Sequence, residues 1–345
     1  MTTSSEWFPA VRVPALRGGP VLRWGVLAPG TIAGDFVATV HDNTDQRVAA
    51  VASRSRERGR AFADRHGVER VHESYEALVS DPEVDIVYVA APHSEHAKLG
   101  LLAIAAGKHV LIEKPIATSA GEAEEIAAAA RAAGVFAAEA MWTRYLPQFD
   151  VLDQLLQRGD LGTIRLATAE VGWALGADPP ARMLDPGLAG GAALDMGVYG
   201  YWFAQFAIGR PRSVRAVGSM TSSGVDEQAV VAIAGAEGRH AAVTTSMAVT
   251  VSGLAAIHGT LGSARSLDPF VFPARFAVET GDERHEWEET SGLAGRDGLA
   301  WQTTAIAQYV DEGRTDSAVH GLDDAIGVLH TIDAVRAQLE HVRPR

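Results

Sequence analysis

Leu22-Arg23-Trp24-Gly25-Val26-Leu27-Ala28-Pro29-Gly30-Thr31-Ile32-Ala33 is the stretch that decides the fold. Residues 22–27 form a short apolar run that reads as a strand. The run passes through a Pro-Gly turn into a helix expected over 32–40. The first strand-turn-helix unit of a dinucleotide-binding fold has this form, because backbone N–H groups and a helix N-terminus there meet a pyrophosphate. Small residues are needed where phosphates approach the main chain. Of the three usual glycine positions only the middle one, Gly30, is glycine; Ala28 and Ala33 hold the outer two. As a bare pattern this is weak, and an ordinary glycine turn fits it equally well.

The chain that follows strengthens the nucleotide reading. Strands are expected at 48–52, 85–90, 109–112 and 135–138, with helices at 56–65, 96–106 and 119–133. Gly107 and Gly134 stop two of the helices, and Thr118 or Ser119 with Glu122 starts another. Repeated strand–helix units imply a parallel sheet covered on both faces, ending near residue 140. Beyond it, alternating or β-branched runs at 163–171, 212–220, 229–233, 241–250 and 275–279 predict a mainly antiparallel sheet. One helix interrupts them at 193–206, and two more follow at 300–312 and 322–339. The fold class is therefore α/β followed by α+β. The expected division is a flexible leader at 1–20, a nucleotide-binding domain at 21–140 and an α+β domain at 141–320. A terminal helix at 321–345 would pack back on the nucleotide domain.

Composition narrows the function. A chain of 345 residues suits two domains, and 47% apolar with 21% charged residues is globular. A net charge of −13 disfavours nucleic acid and anionic membrane surfaces as partners. The absence of cysteine removes disulfides, thiolate catalysis and iron–sulfur clusters, and fits a cytoplasmic location. No run of apolar residues is long enough to span a bilayer, and residues 1–20 have no secretory pattern. His240, His258, His285, His320 and His330 lack ligand spacing, so no metal is expected.

The second strand ends at Ala52-Ser53-Arg54, where ribose specificity is decided. NAD-selective sites place a carboxylate there, and none is present. Ser53 can hydrogen-bond a 2′-phosphate and Arg54 can pair with it, which favours NADP while leaving NAD possible. The plainer alternative is that Arg54 is a solvated charge at a helix start, the reading preferred for Arg56 and Arg58.

Leu111-Ile112-Glu113-Lys114-Pro115, after a Gly-Lys-His turn, resembles the glucose–fructose oxidoreductase / inositol dehydrogenase (Gfo/Idh/MocA) family. The stretches 139–147 (EAMWTRYLP) and 184–199 (LDPGLAGGAALDMGVY) are similar to its branch of dihydrodiol dehydrogenases and NADP-dependent D-xylose dehydrogenases. The resemblance spans about residues 22–340. It implies a Rossmann domain, then an open antiparallel sheet flanked by helices and used for pairing, hence a homo-oligomer, dimer or tetramer. It also implies hydride transfer between a nicotinamide cofactor and a carbinol or carbonyl carbon of a sugar or cyclic trans-diol. Most of the wider family carries His where Tyr199 stands, whereas this branch carries Tyr. A Tyr-Glu-Ala segment usual in relatives is altered around Trp301-Gln302.

By resemblance, Lys114 and Tyr199 lie beside the reacting carbon. Lys114 would stabilise developing negative charge on the substrate oxygen. A phenol titrates near about 10 in water, and an adjacent ammonium lowers that, making Tyr199 a proton donor or acceptor. A cis Lys114–Pro115 bond suits a tight turn at such a site. Asp195 would share a helix face with Tyr199 and contact substrate or orient Lys114; the alternative is a helix N-cap. His96 would support the site, although a lone histidine at a helix start is often structural. Ala28, Gly30, Thr31, Ile32, Ser53, Arg54, Pro92, His93, Glu113 and Lys114 are the expected cofactor contacts. Trp142 would pack on a sugar ring, with Arg144, Arg165 and Arg182 as weaker substrate candidates. Two other readings stand beside this one: a nucleotide-binding regulator without turnover, and an enzyme that recycles a permanently bound cofactor.

Overall fold

The computed structural model describes residues 7–176 and 179–342, in two compact units. The first unit comprises Val13–Tyr145 and Ala294–Ile326; the second comprises the described residues of Met1–Arg12, Leu146–Leu293 and Gly327–Arg345.

In the first unit the chain runs β1 (Arg23–Leu27), α1 (Thr31–Asn43), β2 (Arg47–Ala52), α2 (Arg56–His66), β3 (Arg70–His72) and α3 (Tyr75–Val79). It continues through β4 (Ile86–Val89), α4 (His96–Ala105), β5 (His109–Glu113), α5 (Ala120–Ala133) and β6 (Ala137–Ala140). The six strands are parallel in the order β3-β2-β1-β4-β5-β6. Strand β4 is buried along its whole length, and β1 and β5 at all but their first residue. That is why they read as unbroken apolar runs. The order turns back at β1, which has β2 on one side and β4 on the other. A ligand crevice opens at the carboxyl ends of the strands at such a reversal. The edge strand β6 is covered, since Ala137 N–H donates to the Thr315 carbonyl at 3.2 Å.

The second unit contains α6 (Pro147–Arg158), β7 (Ile164–Gly172), α7 (Ala181–Leu184), α8 (Val198–Ile208), β8 (Ser213–Met220), β9 (Asp226–Ala234) and β10 (His240–Ser246). Then come β11 (Ala255–Gly259), β12 (Gly262–Ser266), β13 (Phe276–Thr280) and β14 (Glu283–Trp287). Its eight strands run β14-β13-β12-β11-β7-β10-β9-β8, antiparallel except for the β7–β10 pair. Helix α8 lies on β7 and β10 so closely that a Cβ at Gly200 would stand 2.7 Å from Val243. Val217 and Val230, cross-strand partners on β8 and β9, are exposed.

The division departs from the expected one in three places. Of the flexible leader expected at 1–20, residues 1–6 lie outside the described residues, and residues 7–20 are held by specific bonds. Arg12 donates to Asp150 through its N–H at 2.7 Å and its guanidinium at 3.1 Å, Trp7 stacks on His285, and Arg17 pairs with Asp45. Residues 294–320 join the nucleotide unit, where α9 (Leu299–Asp311) packs on α1 and Thr39 donates to the Asp297 carbonyl at 3.0 Å. The last helix, α10 (Leu322–Leu339), belongs from Gly327 onward to the sheet unit instead of packing back on the nucleotide unit. There Gln338 accepts from Ala216 N–H at 3.0 Å, and Leu339 lies over Gly218 of β8.

Candidate active site

In the first unit, the turn after β1 starts at Ala28, whose φ of 60° is the left-handed conformation that glycine adopts most easily. Its N–H donates to the Ala52 carbonyl at 3.1 Å, while Ala90 N–H donates to the Leu27 carbonyl at 3.1 Å. The turn is thereby fixed between the ends of β2 and β4. Gly30 is the N-cap of α1 and no side chain caps that helix. A Cβ at Gly30 would meet only the Ala28 carbonyl at 3.9 Å, so space is open above the N–H groups of Thr31 and Ile32. These features fit a pyrophosphate.

At the end of β2, Ser53 is buried and its Oγ accepts from Ser55 N–H at 3.2 Å. Arg54 is exposed and close to the phenol of Tyr75, whose pKa burial raises against the pull of that guanidinium. Tyr75 carries no motif and was not anticipated; nothing near it in sequence marks it as a partner of Arg54.

Pro92 leads the short turn His93–Glu95 after β4, and His93 is buried with its ring 5.6 Å from that of His96. His96 is wholly internal. Its Nδ1 lies 2.7 Å from the Pro115 carbonyl and its Nε2 2.8 Å from that of Ala91. Two carbonyls favour an imidazolium. Burial opposes it, with nearby His93 and Lys114, and pushes the pKa down to about 3. A neutral ring has one N–H and donates to one of these two carbonyls, and both ring nitrogens of His96 face the main chain.

Glu113 ends β5, buried, accepting from the Tyr88 hydroxyl at 2.6 Å and from Lys114 N–H at 3.1 Å. Burial raises its pKa against the opposing pull of Lys114 and those two bonds. Lys114 is half-buried, and the Lys114–Pro115 bond is cis. Trp142 and Arg144 sit buried in a turn, Trp142–Tyr145, just beyond β6. The expected contacts of the first unit therefore gather at the carboxyl ends of β1, β2, β4, β5 and β6.

In the second unit, Asp195 and Tyr199 are both buried. Ala193–Gly197 is a π-helical turn that continues into α8, with Tyr199 in the first turn of α8. The sequence led to a regular helix here; single π turns inside helices are frequent at functional sites. Asp195 is inside this turn, so it is not the N-cap. That task falls to Asp226 on β9, which was not anticipated. Its Oδ2 accepts from Ala193 N–H at 2.6 Å. Burial raises the Asp226 pKa; that bond and the charge of Arg336 pull the other way. The glycine pair before the turn is obligatory. A Cβ on Gly190 would lie 2.5 Å from the Met183 carbonyl, and one on Gly191, at φ 117°, would strike the Asp226 carboxylate. Arg182 reaches Asp195, Nη1 to Oδ1 at 3.2 Å, neutralising a carboxylate that is otherwise enclosed.

Arg165 does not join this group. It is exposed at the start of β7, and its guanidinium donates to the Glu237 carbonyl at 3.2 Å. The Ala192 carbonyl accepts from Thr245, which pairs with Val171 near the far end of β7. Arg165 is thus some six strand positions away, roughly 20 Å at strand rise. Among the described residues no cluster of His, Asp or Glu is arranged to hold a metal ion.

Residues 22–140 match the family model described as "Oxidoreductase family, NAD-binding Rossmann fold", and residues 149–265 match "GFO/IDH/MocA C-terminal domain". The chain is 36% identical over 322 residues to the trans-1,2-dihydrobenzene-1,2-diol dehydrogenase of Homo sapiens, covering 91% of this chain and 96% of that one. The Bos taurus protein of the same name is 32% identical over 328 residues, with coverage of 91% and 96%. A solved 3-ketoreductase from Actinomadura kijaniata, in complex with NADP and TDP-benzene, aligns with a TM-score of 0.79 at 27% identity, covering 92% of this chain and 98% of that one. An aldose-aldose oxidoreductase from Caulobacter crescentus shares the fold, with a TM-score of 0.82 at 24% identity and coverage of 92% and 97%.

Proposed function

The chain belongs to the GFO/IDH/MocA oxidoreductase family, and from that premise we propose that it is an NADP-dependent dehydrogenase of cyclic trans-diols or sugars. The diol class comes from the name of its relatives and stands ahead of the sugar class. The observation that carries the catalytic reading is Lys114, a half-buried ammonium at the carboxyl end of β5 on a turn whose neighbouring main-chain groups are bonded to His96 and Glu113. The preference for NADP rests on Arg54, beside Tyr75 at a strand end that has no acid.

The nicotinamide cofactor supplies or takes up the hydride. The chain's own groups do the rest. Lys114 donates to the substrate oxygen and stabilises the negative charge that grows there as the carbinol loses its proton. Tyr199 takes or returns that proton. Asp195, with its charge balanced by Arg182, accepts from a second substrate hydroxyl. Trp142 gives the ring an apolar wall. The exposed Val217 and Val230 on the open sheet face support a homo-oligomer through that face.

NADPH formation from NADP, followed by absorbance with a panel of cyclic trans-diols, pentoses and hexoses, tests the proposal. Turnover with one class and a loss of about 100-fold or more in Tyr199→Phe is the expected result. Cofactor binding without turnover in either direction would favour the regulator, and cofactor retained through purification the enzyme that recycles it.

A further inference from the structure

Glu139 on β6 and His320, in the segment between α9 and α10, are both 1% exposed; Glu139 opens the stretch 139–147, and neither residue has been given a role above. The Glu139 carboxylate faces two ways. Its Oε1 accepts from Ile116 N–H at 2.8 Å, and its Oε2 lies 2.7 Å from His320 Nε2. Ile116 N–H and the Pro115 carbonyl belong to one peptide plane, the one that follows the cis Lys114–Pro115 peptide. Glu139 holds the hydrogen of that plane, and His96 Nδ1 lies 2.7 Å from its oxygen. On the other side of Lys114 the Glu113–Lys114 plane is fixed as well, because Lys114 N–H donates to Glu113, which accepts from Tyr88. The planes that flank the Lys114–Pro115 peptide are therefore both pinned by buried side chains.

The His320 side extends the connection. His320 N–H donates to Ser317 Oγ at 3.1 Å, and the Tyr145 hydroxyl donates to the same oxygen at 2.9 Å. Tyr145 closes the turn that carries Trp142. One buried series thus runs from Ile116 through Glu139, His320 and Ser317 to Tyr145. A carboxylate this deep needs a polar partner, and among the described residues His320 is the side chain that provides one.

We propose that Glu139 and His320 are positioning residues that set the direction of Lys114 and tie it to the Trp142 turn. This rests on the reading of Lys114 as the group that meets the substrate oxygen. The two residues touch neither substrate nor cofactor; they act by fixing the peptide behind the ammonium. A displacement of about 1 Å at a reacting group lowers a rate roughly 100-fold, so a modest slackening is enough to register.

The chain has three lysines, Lys98, Lys108 and Lys114. Lys98 is exposed, and the Lys108 ammonium is held by the carbonyls of Asp81 at 2.8 Å and Val84 at 2.7 Å. Reductive ¹³C-methylation of the full chain gives a separate NMR signal for each, with Lys114→Arg assigning the third. In His320→Leu and Glu139→Gln, the Lys114 signal or its titration should move while those of Lys98 and Lys108 stay. His320→Gln, which keeps an N–H donor toward Glu139, should restore it. With a turned-over substrate, kcat should fall about tenfold or more in His320→Leu, while KM for NADP changes less than about twofold. A Lys114 signal unchanged in both disruptive variants overturns the proposal. If His320→Leu does not fold, the isosteric Glu139→Gln decides by the same signal. The NMR result stands whether or not any substrate turns over, so failure of the dehydrogenase reading and failure of the positioning pair are told apart.

Discussion

The segment carrying Lys114 and the segment carrying Asp195 and Tyr199 are each held by one buried carboxylate from a neighbouring strand, but the two carboxylates are kept by different means. Glu139 faces His320 side chain to side chain and takes one main-chain N–H. Asp226 accepts from the Ala193 main-chain N–H, feels Arg336 through its charge, and has its pKa raised by burial. In the first unit the anchoring acid is half of a buried pair, and removing either half leaves the other stranded. In the second, the acid serves as an acceptor whose charge is a burden. A neutral group of the same shape should serve there nearly as well.

The largest effect is therefore expected at Glu139. Glu139→Ala leaves His320 and Ile116 N–H unpartnered in the interior and should cost about 3–5 kcal/mol of stability. Asp226→Asn keeps an oxygen toward Ala193 and should cost less than about 1 kcal/mol at pH 7. Urea unfolding of both variants checks the contrast. Equal losses would mean that the Asp226 charge is as necessary as that of Glu139.

Acid and base should separate the units next. His96 has its pKa pushed from 6.5 down to about 3, so the folded state favours the neutral ring. Its stabilisation is complete above 6.5 and is lost as the pH falls toward 3. Asp226 is shifted the other way, above its usual 3.8, so the folded state holds the proton more tightly than the unfolded chain. Its contribution is complete below 3.8 and fades as the pH rises through the raised value. Between pH 4 and pH 8, His96→Gln should flatten the acid side of the stability profile, and Asp226→Asn should gain on the wild type as the pH rises. Imidazole ¹⁵N shifts test the first part directly. A His96 ring still protonated at pH 7 would show that the carbonyls of Ala91 and Pro115 outweigh burial.

These anchors were the least legible part of the sequence, for a physical reason. Strands β1, β2, β4 and β5 are visible because burial forces apolar runs on them, and α10 because its apolar spacing is unbroken over eighteen residues. Short β3 and α3 offer three and five residues, too few for a period. Helix α6 was passed over, although Pro147 at its start and Gly159 after its end are ordinary boundary signals. Gly30, Ser53, Arg54, Lys114, Asp195 and Tyr199 stand inside local patterns, so they could be named. Glu139, His320 and Asp226 act on partners 23, 181 and 33 positions away, and no local pattern encodes such a pairing. The π turn at 193–197 was likewise hidden, since a regular helix would be written with the same small and apolar residues.

Tyr75 extends this contrast to the cofactor end, at the smallest scale. Arg54 could be read from its place after β2, whereas the phenol close to it lies on α3 and could not. Tyr75→Phe removes that hydroxyl and keeps the ring. A hydroxyl that steers the guanidinium contributes about 0.5–1.5 kcal/mol, so NADP should bind roughly 2- to 10-fold more weakly. NAD, which has no 2′-phosphate for Arg54 to meet, should bind as before. Calorimetric titration of both cofactors into wild type and variant separates the two explanations. A parallel weakening of NAD and NADP would make Tyr75 a packing residue of α3. A loss confined to NADP would mean that the orientation of Arg54, beyond its mere presence, sets the preference.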